Sequence, residues 1–274
     1  MPQETVTGDT KNKVTHGLEN PTLSVPVKVH FAPYELPSVL LTNVQSFGKS
    51  KTTDKTTESE EVLKLNCVDV AVFTETWETT DTLGNLDFSN YNMFHFIRKE
   101  CKRSSGGLSI FVKDHIPATK LSVDVPNNLE VLYVSIRPHK LPRLISNIIL
   151  CGVYYPGSNS DYAPPQETLI LHLTETIQNF YSKYACPLIL LLGDFNDLNI
   201  IDICQLCALK QVVKVPTRKN AILDLIMTNK DNSWYKDPIA LPSIDNSDHL
   251  CVLYVPKKHI KPEIIKKKIL IREF

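Results

Sequence analysis

The chain alternates between polar stretches and short apolar runs, and eight of these runs have the length of a single β-strand. Each is rich in Val, Ile, Leu and aromatic residues and is bounded by Asn, Asp, Gly or Pro, a composition that favours buried strands. We therefore predict strands over residues 39–44, 68–75, 108–113, 131–136, 147–155, 188–192, 222–227 and 250–255.

Two of the intervening segments have helical periodicity instead. Residues 166–184 carry apolar side chains at helical spacing and predict an amphipathic helix with Leu169, Leu173, Ile177, Phe180 and Tyr184 on one stripe. Residues 55–66 predict a shorter helix. Many strands with few interleaved helices favour an α/β fold in which sheets form the core of a single domain.

The two ends of the chain differ from the middle in composition. Residues 1–36 are rich in Thr, Pro, Asn and Lys without either period, which predicts a disordered leader. Residues 257–274 hold seven basic and two acidic side chains in a chain of zero net charge. This basic tail is either a solvated end or a segment suited to a polyanion or a nuclear address. The domain is accordingly assigned to residues 37–256.

Composition restricts the class of protein. The chain is 42% hydrophobic and 22% charged, as expected for a globular domain. It has neither an apolar stretch of about 20 residues nor a signal peptide, so we predict an intracellular protein with no membrane partner. Seven cysteines, an odd number, fit reduced thiols. Cys204 and Cys207 are predicted to be core thiols, with metal binding as the alternative.

Polar side chains recur where the predicted strands end or begin. Asp224 is the most informative, because a carboxylate inside an apolar run needs a partner or a metal. Taken singly, an Asn or Asp at a strand end is a common turn former, and a lone His before a strand is usually just exposed. If the strand ends converge, one site contains Asn43, Glu75, Tyr154, Asp194, Asn196, Asp248 and an Asp224–His249 pair.

This set of side chains suits hydrolysis at phosphorus. Hard oxygen ligands without cysteine are what Mg²⁺ or Mn²⁺ prefers. A carboxylate can orient a histidine and keep it charged against an anion, and a second carboxylate can activate water. The sequence has no strand-associated nucleophile elbow, Walker loop or dinucleotide fingerprint, so acyl transfer, nucleotide triphosphate cleavage and hydride transfer lack their usual motifs.

The order of these residues resembles that of the endonuclease/exonuclease/phosphatase superfamily, which has the DNase I-like fold. More narrowly, the chain resembles the apurinic-type endonuclease of non-LTR retrotransposons, with the chicken-repeat-like group most similar in texture. The segments that carry the resemblance are LLTNVQSF (40–47), FTETW (73–77), RSSGG (103–107), PTR (216–218), LDLIMTN (223–229) and SDH (247–249). The resemblance covers about residues 39–256. It implies a four-layer α/β sandwich of two mainly antiparallel sheets flanked by helices.

The resemblance also implies roles for matching positions. Glu75 would bind the divalent metal, with Asn43 and Asp248 close to it. Asp194 would orient or deprotonate the attacking water, and Asn196 would hold that water or a phosphate oxygen. Tyr154 would donate a hydrogen bond to the scissile phosphate, and His249, paired with Asp224, would stabilise the negative charge that develops on it. Thr217 and Ser247 would support the site. Lys102 and Arg103 would contact the DNA backbone, with a solvated loop as the alternative.

The chain departs from its relatives at two positions. Gln45 replaces an Asp of the repair-type enzymes, and Gly157 replaces the Asn of a Y-x-P-N motif, which removes a phosphate or active-site contact. At GDFN (193–196) we expect Gly193 to let the chain turn, so that Asp194 and Asn196 face the site and Phe195 packs away.

The leading hypothesis from sequence is a metal-dependent endonuclease that nicks double-stranded DNA and leaves a 3′ hydroxyl, working in the nucleus. In the family, that end primes reverse transcription. No reverse transcriptase is expected here, because 274 residues are too few and no YADD-like run occurs. The alternatives are a phosphoesterase of the same fold acting on a lipid, inositol or other small molecule, and an inactive remnant of a retroelement.

Overall fold

The computed structural model describes residues 35–47, 55–78, 86, 88–96, 106–230 and 233–257. Within these ranges the strands are β1 (Val39–Asn43), β2 (Val70–Thr74), β3 (Tyr91–Phe96), β4 (Leu108–Lys113), β5 (Ala118–Lys120), β6 (Glu130–Ile136), β7 (Ile148–Tyr154), β8 (Leu188–Asp194), β9 (Lys210–Gln211), β10 (Asp224–Thr228), β11 (Ile239–Leu241) and β12 (Cys251–Tyr254). The helices are α1 (Lys55–Leu65), α2 (Gln166–Lys183) and α3 (Ile201–Leu206).

The strands form two six-stranded sheets. The first has the order β11-β12-β1-β2-β4-β3, and the second has the order β5-β6-β7-β8-β10-β9. Each sheet contains one parallel pair, β1 with β2 and β7 with β8. The other neighbours are antiparallel. The predicted pair of mainly antiparallel sheets is confirmed.

Side-chain alternation along the strands produces the layers. In β1, Val39 and Leu41 face the second sheet and pack with residues of β6, β7 and β8 in one apolar cluster. Leu40 faces the other way, into a cluster that includes Leu63 of α1. The outer face of the second sheet packs against α2, whose predicted stripe is buried at Leu169, Leu173, Ile177 and Phe180. The result is helix, sheet, sheet and helix, the four layers expected.

The parallel pairs determine where the site forms. Because β1 and β2 run the same way, their carboxyl ends lie at one edge of the first sheet. The carboxyl ends of β7 and β8 lie together in the second sheet, with Tyr154 opposite Asp194. Strand β10 is antiparallel to β8, so its first residue, Asp224, also pairs with Asp194.

All eight predicted strands are present, whereas β3, β5, β9, β11 and α3 were not predicted. Strand β3 is an edge strand of intermediate burial, and its sequence YNMFHF lacks clear alternation. The other three strands have only two or three residues. The expected turn at Gly193 is wrong, because β8 continues through Asp194. Glycine is needed there because a Cβ would overlap the backbone of Val153 on the neighbouring strand.

Several sequence predictions fall outside the described residues. These are Lys102 and Arg103, the leader up to residue 34 and the basic tail beyond Lys257. Leu36, placed in the leader from sequence, is buried in the inter-sheet cluster. Cys207 is buried and Cys204 packs beside it against α2 and the second sheet. None of the helices in the described part of the chain has the length and apolarity to span a bilayer.

Candidate active site

The amide of Asn43 joins the two sheets at their common rim. Its Nδ2 atom donates to Oε1 of Glu75 at 2.9 Å and to Oδ2 of Asp194 at 2.9 Å. Asn43 ends a strand of the first sheet and Asp194 ends a strand of the second. Its Oδ1 atom accepts the backbone N–H of Gln45, which fixes the amide orientation. The Asn43 side chain thereby holds the carboxylates of Glu75 and Asp194, which come from different layers.

Glu75 is a second junction between the layers. Its Oε1 atom also accepts the hydroxyl of Tyr154 at 3.0 Å, and its Oε2 atom accepts the indole N–H of Trp77 at 3.3 Å. Glu75 is only partly buried, so its carboxylate faces both the protein and solvent. Of the predicted metal ligands, Asn43 is buried, whereas Glu75 is partly open and Asp248 is exposed to an incoming cation.

Asp194 lies in an environment that opposes its ionisation. It is 1% exposed, and burial together with the neighbouring charge of Asp224 raises the pKa of its carboxyl to about 7. His249, the Asn43 amide and the backbone N–H of Asn196 act in the other direction without cancelling the rise. A carboxylate with a pKa near 7 is suited to accept a proton from water at neutral pH.

Asp224 and His249 form a buried pair. Oδ2 of Asp224 lies 2.7 Å from Nδ1 of His249, and both side chains are at most 1% exposed. Burial lowers the pKa of His249, but the hydrogen bond and charge of Asp224 and the charge of Asp194 outweigh it, so the pKa is raised. The pairing directs Nε2 away from Asp224. In the structure, Nε2 lies 3.8 Å from Oδ1 of Asp248.

The two predicted supporting residues hold backbone in place. The Thr217 hydroxyl accepts the backbone N–H groups of Leu223 and Asp224, at 3.0 and 3.1 Å. The Ser247 hydroxyl donates to the carbonyl of Asn43 at 2.6 Å and accepts the N–H of His249. Thr217 thus positions the start of β10, and Ser247 ties the residue before His249 to the end of β1.

Asp248 is held by two residues to which sequence reasoning gave no site role. Gln45 Nε2 donates to its Oδ1 at 2.7 Å, and Arg218 Nε donates to its Oδ2 at 2.8 Å. Burial would raise the pKa of Asp248, but Arg218, His249 and Gln45 together lower it. Arg218 belongs to the PTR motif, and Gln45 is one of the two departures from the relatives. The sequence therefore marks both residues, but it does not indicate that either one bonds Asp248.

Asn196 and Asp197 shape the turn after β8. The Nδ2 atom of Asn196 donates to the carbonyl of Tyr155 at 2.7 Å, and its backbone N–H donates to Asp194 at 3.1 Å. Asp197 points away and accepts the backbone N–H of Ser158, as expected. Phe195 is fully buried in the outer cluster. Asn196 therefore contacts the site through its backbone, with its amide directed to the neighbouring loop.

The loops after β1 and β2 are strained. Gln45, Ser46, Glu75 and Trp77 all have positive φ, between 48° and 85°, although none is glycine. Each costs on the order of 1–2 kcal/mol, and such strain is concentrated at functional sites. Backbone bonds from Ser46 to Glu75 and from Phe47 to Thr76 join the two loops. The orientation of Glu75 is therefore maintained by these backbone bonds despite its unfavourable φ.

The site fits a hard divalent cation. Asp194, Asp224 and His249 each offer a ligand atom, and these atoms all lie within 4.8 Å of one another. Oδ1 of Asp224 is buried and has no hydrogen-bond partner in the described part of the chain. The rim carries more negative charge than its own donors compensate, and its donors are oxygen and imidazole nitrogen.

Solved structures with this architecture identify the fold. The endonuclease domain of TRAS1, a telomere-specific non-LTR retrotransposon, superposes with a TM-score of 0.57 at 16% identity, covering 82% of this chain and 99% of that one. The Xenopus laevis APE2 catalytic domain gives 0.58 at 14%, covering 82% and 94%. The chain has the DNase I-like fold of the endonuclease/exonuclease/phosphatase superfamily.

A third solved structure is similar to the same extent. The 3′ phosphatase NExo from Neisseria, bound to product DNA hairpin, has a TM-score of 0.59 at 15% identity, and the match covers 81% of this chain and 100% of that one. No family model and no curated protein sequence matches the chain. The similarity is thus one of fold.

Proposed function

We propose that the protein is a divalent-metal-dependent endonuclease that hydrolyses a phosphodiester of double-stranded DNA and leaves a 3′ hydroxyl, as in target-primed retrotransposition. The observation that carries the proposal is the hydrogen-bonded set of Asn43, Glu75, Tyr154 and Asp194 at one rim, beside the buried Asp224–His249 pair. Its similarity in fold to the TRAS1 endonuclease domain supports a retrotransposon type. Chromosomal DNA as substrate implies work in the nucleus.

In this proposal Glu75 holds the cation, Mg²⁺ or Mn²⁺, with Asn43 and Asp248 beside it. Glu75 is preferred to the Asp194–Asp224–His249 group because it is partly open, whereas that group is buried and two of its members, Asp224 and His249, are paired with each other. When bound, the cation would supply Lewis-acid polarisation of the phosphate and compensation of the charge that develops on it.

The chain's own residues account for the proton transfers. Asp194 takes a proton from the attacking water, since its pKa is about 7. The new P–O bond forms as the P–O3′ bond breaks, and the leaving O3′ atom takes a proton from solvent, which gives a 5′ phosphate and a 3′ hydroxyl. The hydroxyl of Tyr154 and Nε2 of His249 donate to the non-bridging phosphate oxygens. Asp224 keeps the imidazole of His249 charged and oriented for that contact.

The test is nicking of supercoiled plasmid with Mg²⁺, with Mn²⁺ and with EDTA. We expect open circles that require a metal, and primer extension from the nick by a DNA polymerase, which needs a 3′ hydroxyl. Asp194→Ala should lose the activity. Asp197→Ala is the matched control, because this exposed carboxylate lies three residues away and contacts Ser158 instead of the site.

Absence of nicking by the folded wild-type protein would contradict the proposal. Metal-dependent hydrolysis of lipid or inositol phosphates would then favour the phosphoesterase alternative. Inactivity toward every phosphoester would favour the inactive remnant.

A further inference from the structure

Trp77 is a partly exposed aromatic residue that contacts Glu75, the metal ligand proposed above. It lies in the loop after β2, and its indole N–H donates to Oε2 of Glu75 at 3.3 Å. Its side chain is 36% exposed, although tryptophan is usually largely buried. An aromatic ring is therefore held at the mouth of the site with a face accessible to solvent.

The backbone holds this ring in place at a cost. Trp77 has φ of +54°, a value that bulky residues rarely adopt. Its backbone N–H donates to the carbonyl of Gly106 at 2.8 Å, which ties the loop to the segment before β4. The positive φ and the bond to Gly106 together fix the backbone of Trp77 beside Glu75.

Burial alone does not account for the ring. The other tryptophan, Trp234, packs against the inter-sheet apolar cluster. Trp77 instead has its polar edge on Glu75, and the residue is 36% exposed. A phosphate bound beside the hydrogen-bonded Glu75 and Tyr154 would bring its attached sugar and base close to this ring.

We propose that Trp77 is a stacking platform for a base or deoxyribose adjoining the scissile phosphate, and so selects a nucleic acid over a lipid or inositol phosphate. This inference rests on the proposed endonuclease function and adds a residue that determines substrate class. Contact with a deoxyribose, or with a base unstacked from the duplex at the scissile site, tolerates any sequence, because every nucleotide has a sugar ring and every base a π-face. The platform therefore favours polynucleotides in general, without choosing a target sequence.

The test uses Trp77→Leu, which removes the ring, and Trp77→Phe, which keeps a ring but removes the N–H donor. We expect Trp77→Leu to weaken the Kd for a short DNA duplex in EDTA about 5-fold to 100-fold, with KM for nicking rising more than kcat falls. Trp77→Phe should bind DNA nearly as well as the wild type. Equal damage from both substitutions, mainly in kcat, would overturn the inference in favour of a residue that only positions Glu75.

Fluorescence provides a readout that does not depend on catalysis. Trp77 is the sole tryptophan of a Trp234→Phe variant, so its emission reports on the platform directly. We expect the DNA duplex to quench this emission and inositol hexakisphosphate to leave it unchanged. A wild-type protein that nicks DNA while Trp77 emission stays constant would overturn this inference and leave the endonuclease intact. Quenching without nicking by the wild type would overturn the endonuclease and leave the platform.

Discussion

The Nδ2 atom of Asn43 lies 2.9 Å from Oδ2 of Asp194, and this hydrogen bond connects the ends of two strands that belong to different sheets. The same nitrogen bonds Glu75. The Asn43 amide thus lies between Glu75, proposed for metal binding, and Asp194, proposed for water activation. The distance between these two carboxylates therefore depends on how the sheets pack.

Removing this amide should affect both stability and catalysis. In Asn43→Ala, Oδ2 of Asp194 loses its donor while still buried, so we expect the free energy of unfolding to fall by about 1–3 kcal/mol. Nicking should fall by at least about 100-fold, because both carboxylates lose their orientation. Urea denaturation and plasmid nicking measure the two effects.

Asn147→Ala is the matched control for Asn43→Ala. Asn147 is also buried, and it donates to Ser135 at the other end of β7 from Tyr154. It should lose comparable stability and keep its nicking rate. If both variants lost activity equally, general destabilisation would explain the result and the amide bridge would have no special role.

The raised pKa of Asp194 predicts a fold that is more stable in mild acid. Between the ordinary carboxyl pKa of 3.8 and about 7, the folded state binds more protons than the unfolded state, so stability falls as pH rises. The raised pKa of His249 acts in the same direction: its contribution is complete below 6.5 and is lost as pH rises through the folded value.

Removing the Asp194 charge should flatten this pH dependence. We expect wild-type stability in EDTA to fall by on the order of 2–4 kcal/mol from pH 5 to pH 8, and to fall less in Asp194→Asn. Denaturant titrations across that range measure both slopes. Parallel slopes would show that Asp194 is ionised in the folded protein at pH 5.

Gln45 and Asp248 provide a test of metal binding. Gln45→Asp replaces a hydrogen-bonded amide with a carboxylate facing Asp248, so without metal we expect a loss of about 1 kcal/mol and a Tm about 2–4 °C lower. Mg²⁺ or Mn²⁺ should then raise the Tm of this variant more than that of the wild type, because a ligand that binds the folded state stabilises it.

Gln45→Ala separates charge from the loss of hydrogen bonds. It should lower the Tm in EDTA without any added response to the cations. A metal response as large as that of Gln45→Asp would mean that freeing Asp248, and not adding a ligand, is what admits the ion.

Gly193 in β8 and Gly157 in the loop after β7 should differ in how much stability a substitution costs. Gly193→Ala places a Cβ against the backbone of Val153, so we expect a loss above about 4 kcal/mol and little folded protein. Gly157 has φ of +84°, but a built Cβ would make only ordinary van der Waals contacts, with the nearest atom 3.4 Å away. Since Asn tolerates positive φ, Gly157→Asn should cost about 1 kcal/mol or less. Thermal unfolding of both variants distinguishes a glycine required by steric overlap, at position 193, from a position that can accept the Asn side chain of the Y-x-P-N motif, at position 157.

The hydrophobic pattern of individual segments predicted most of the strands and helices. Eight strands, α1 and α2 follow from period and composition, and the gathering of polar residues at strand ends follows from parallel pairing. Contacts between distant segments could not be predicted in this way. Gln45 and Asp248 are 203 residues apart, and the sequence near each residue gives no indication that they form a hydrogen bond. Gly193 was misread because a glycine needed for close approach between strands has the same local signature as one needed for a turn.

The same limit applies to the strained loops. The sequence FTETW marks Glu75 as a candidate ligand, but positive φ at Trp77 is imposed by the surrounding loops and is not a preference of tryptophan. Short edge strands such as β9 and β11 are likewise defined by their partners. Tertiary contacts create these features, so the residues involved carry no distinctive local pattern.

The Asn43–Asp194 bond spans 151 residues, and His249 lies further still along the chain. During translation, therefore, a nascent chain cannot complete the site until residue 249 has left the ribosome. Shorter products would hold the carboxylates of Glu75, Asp194 and Asp224 without the imidazole, and their first sheet would lack β12. For the proposed endonuclease, cleavage activity would thus appear late in synthesis.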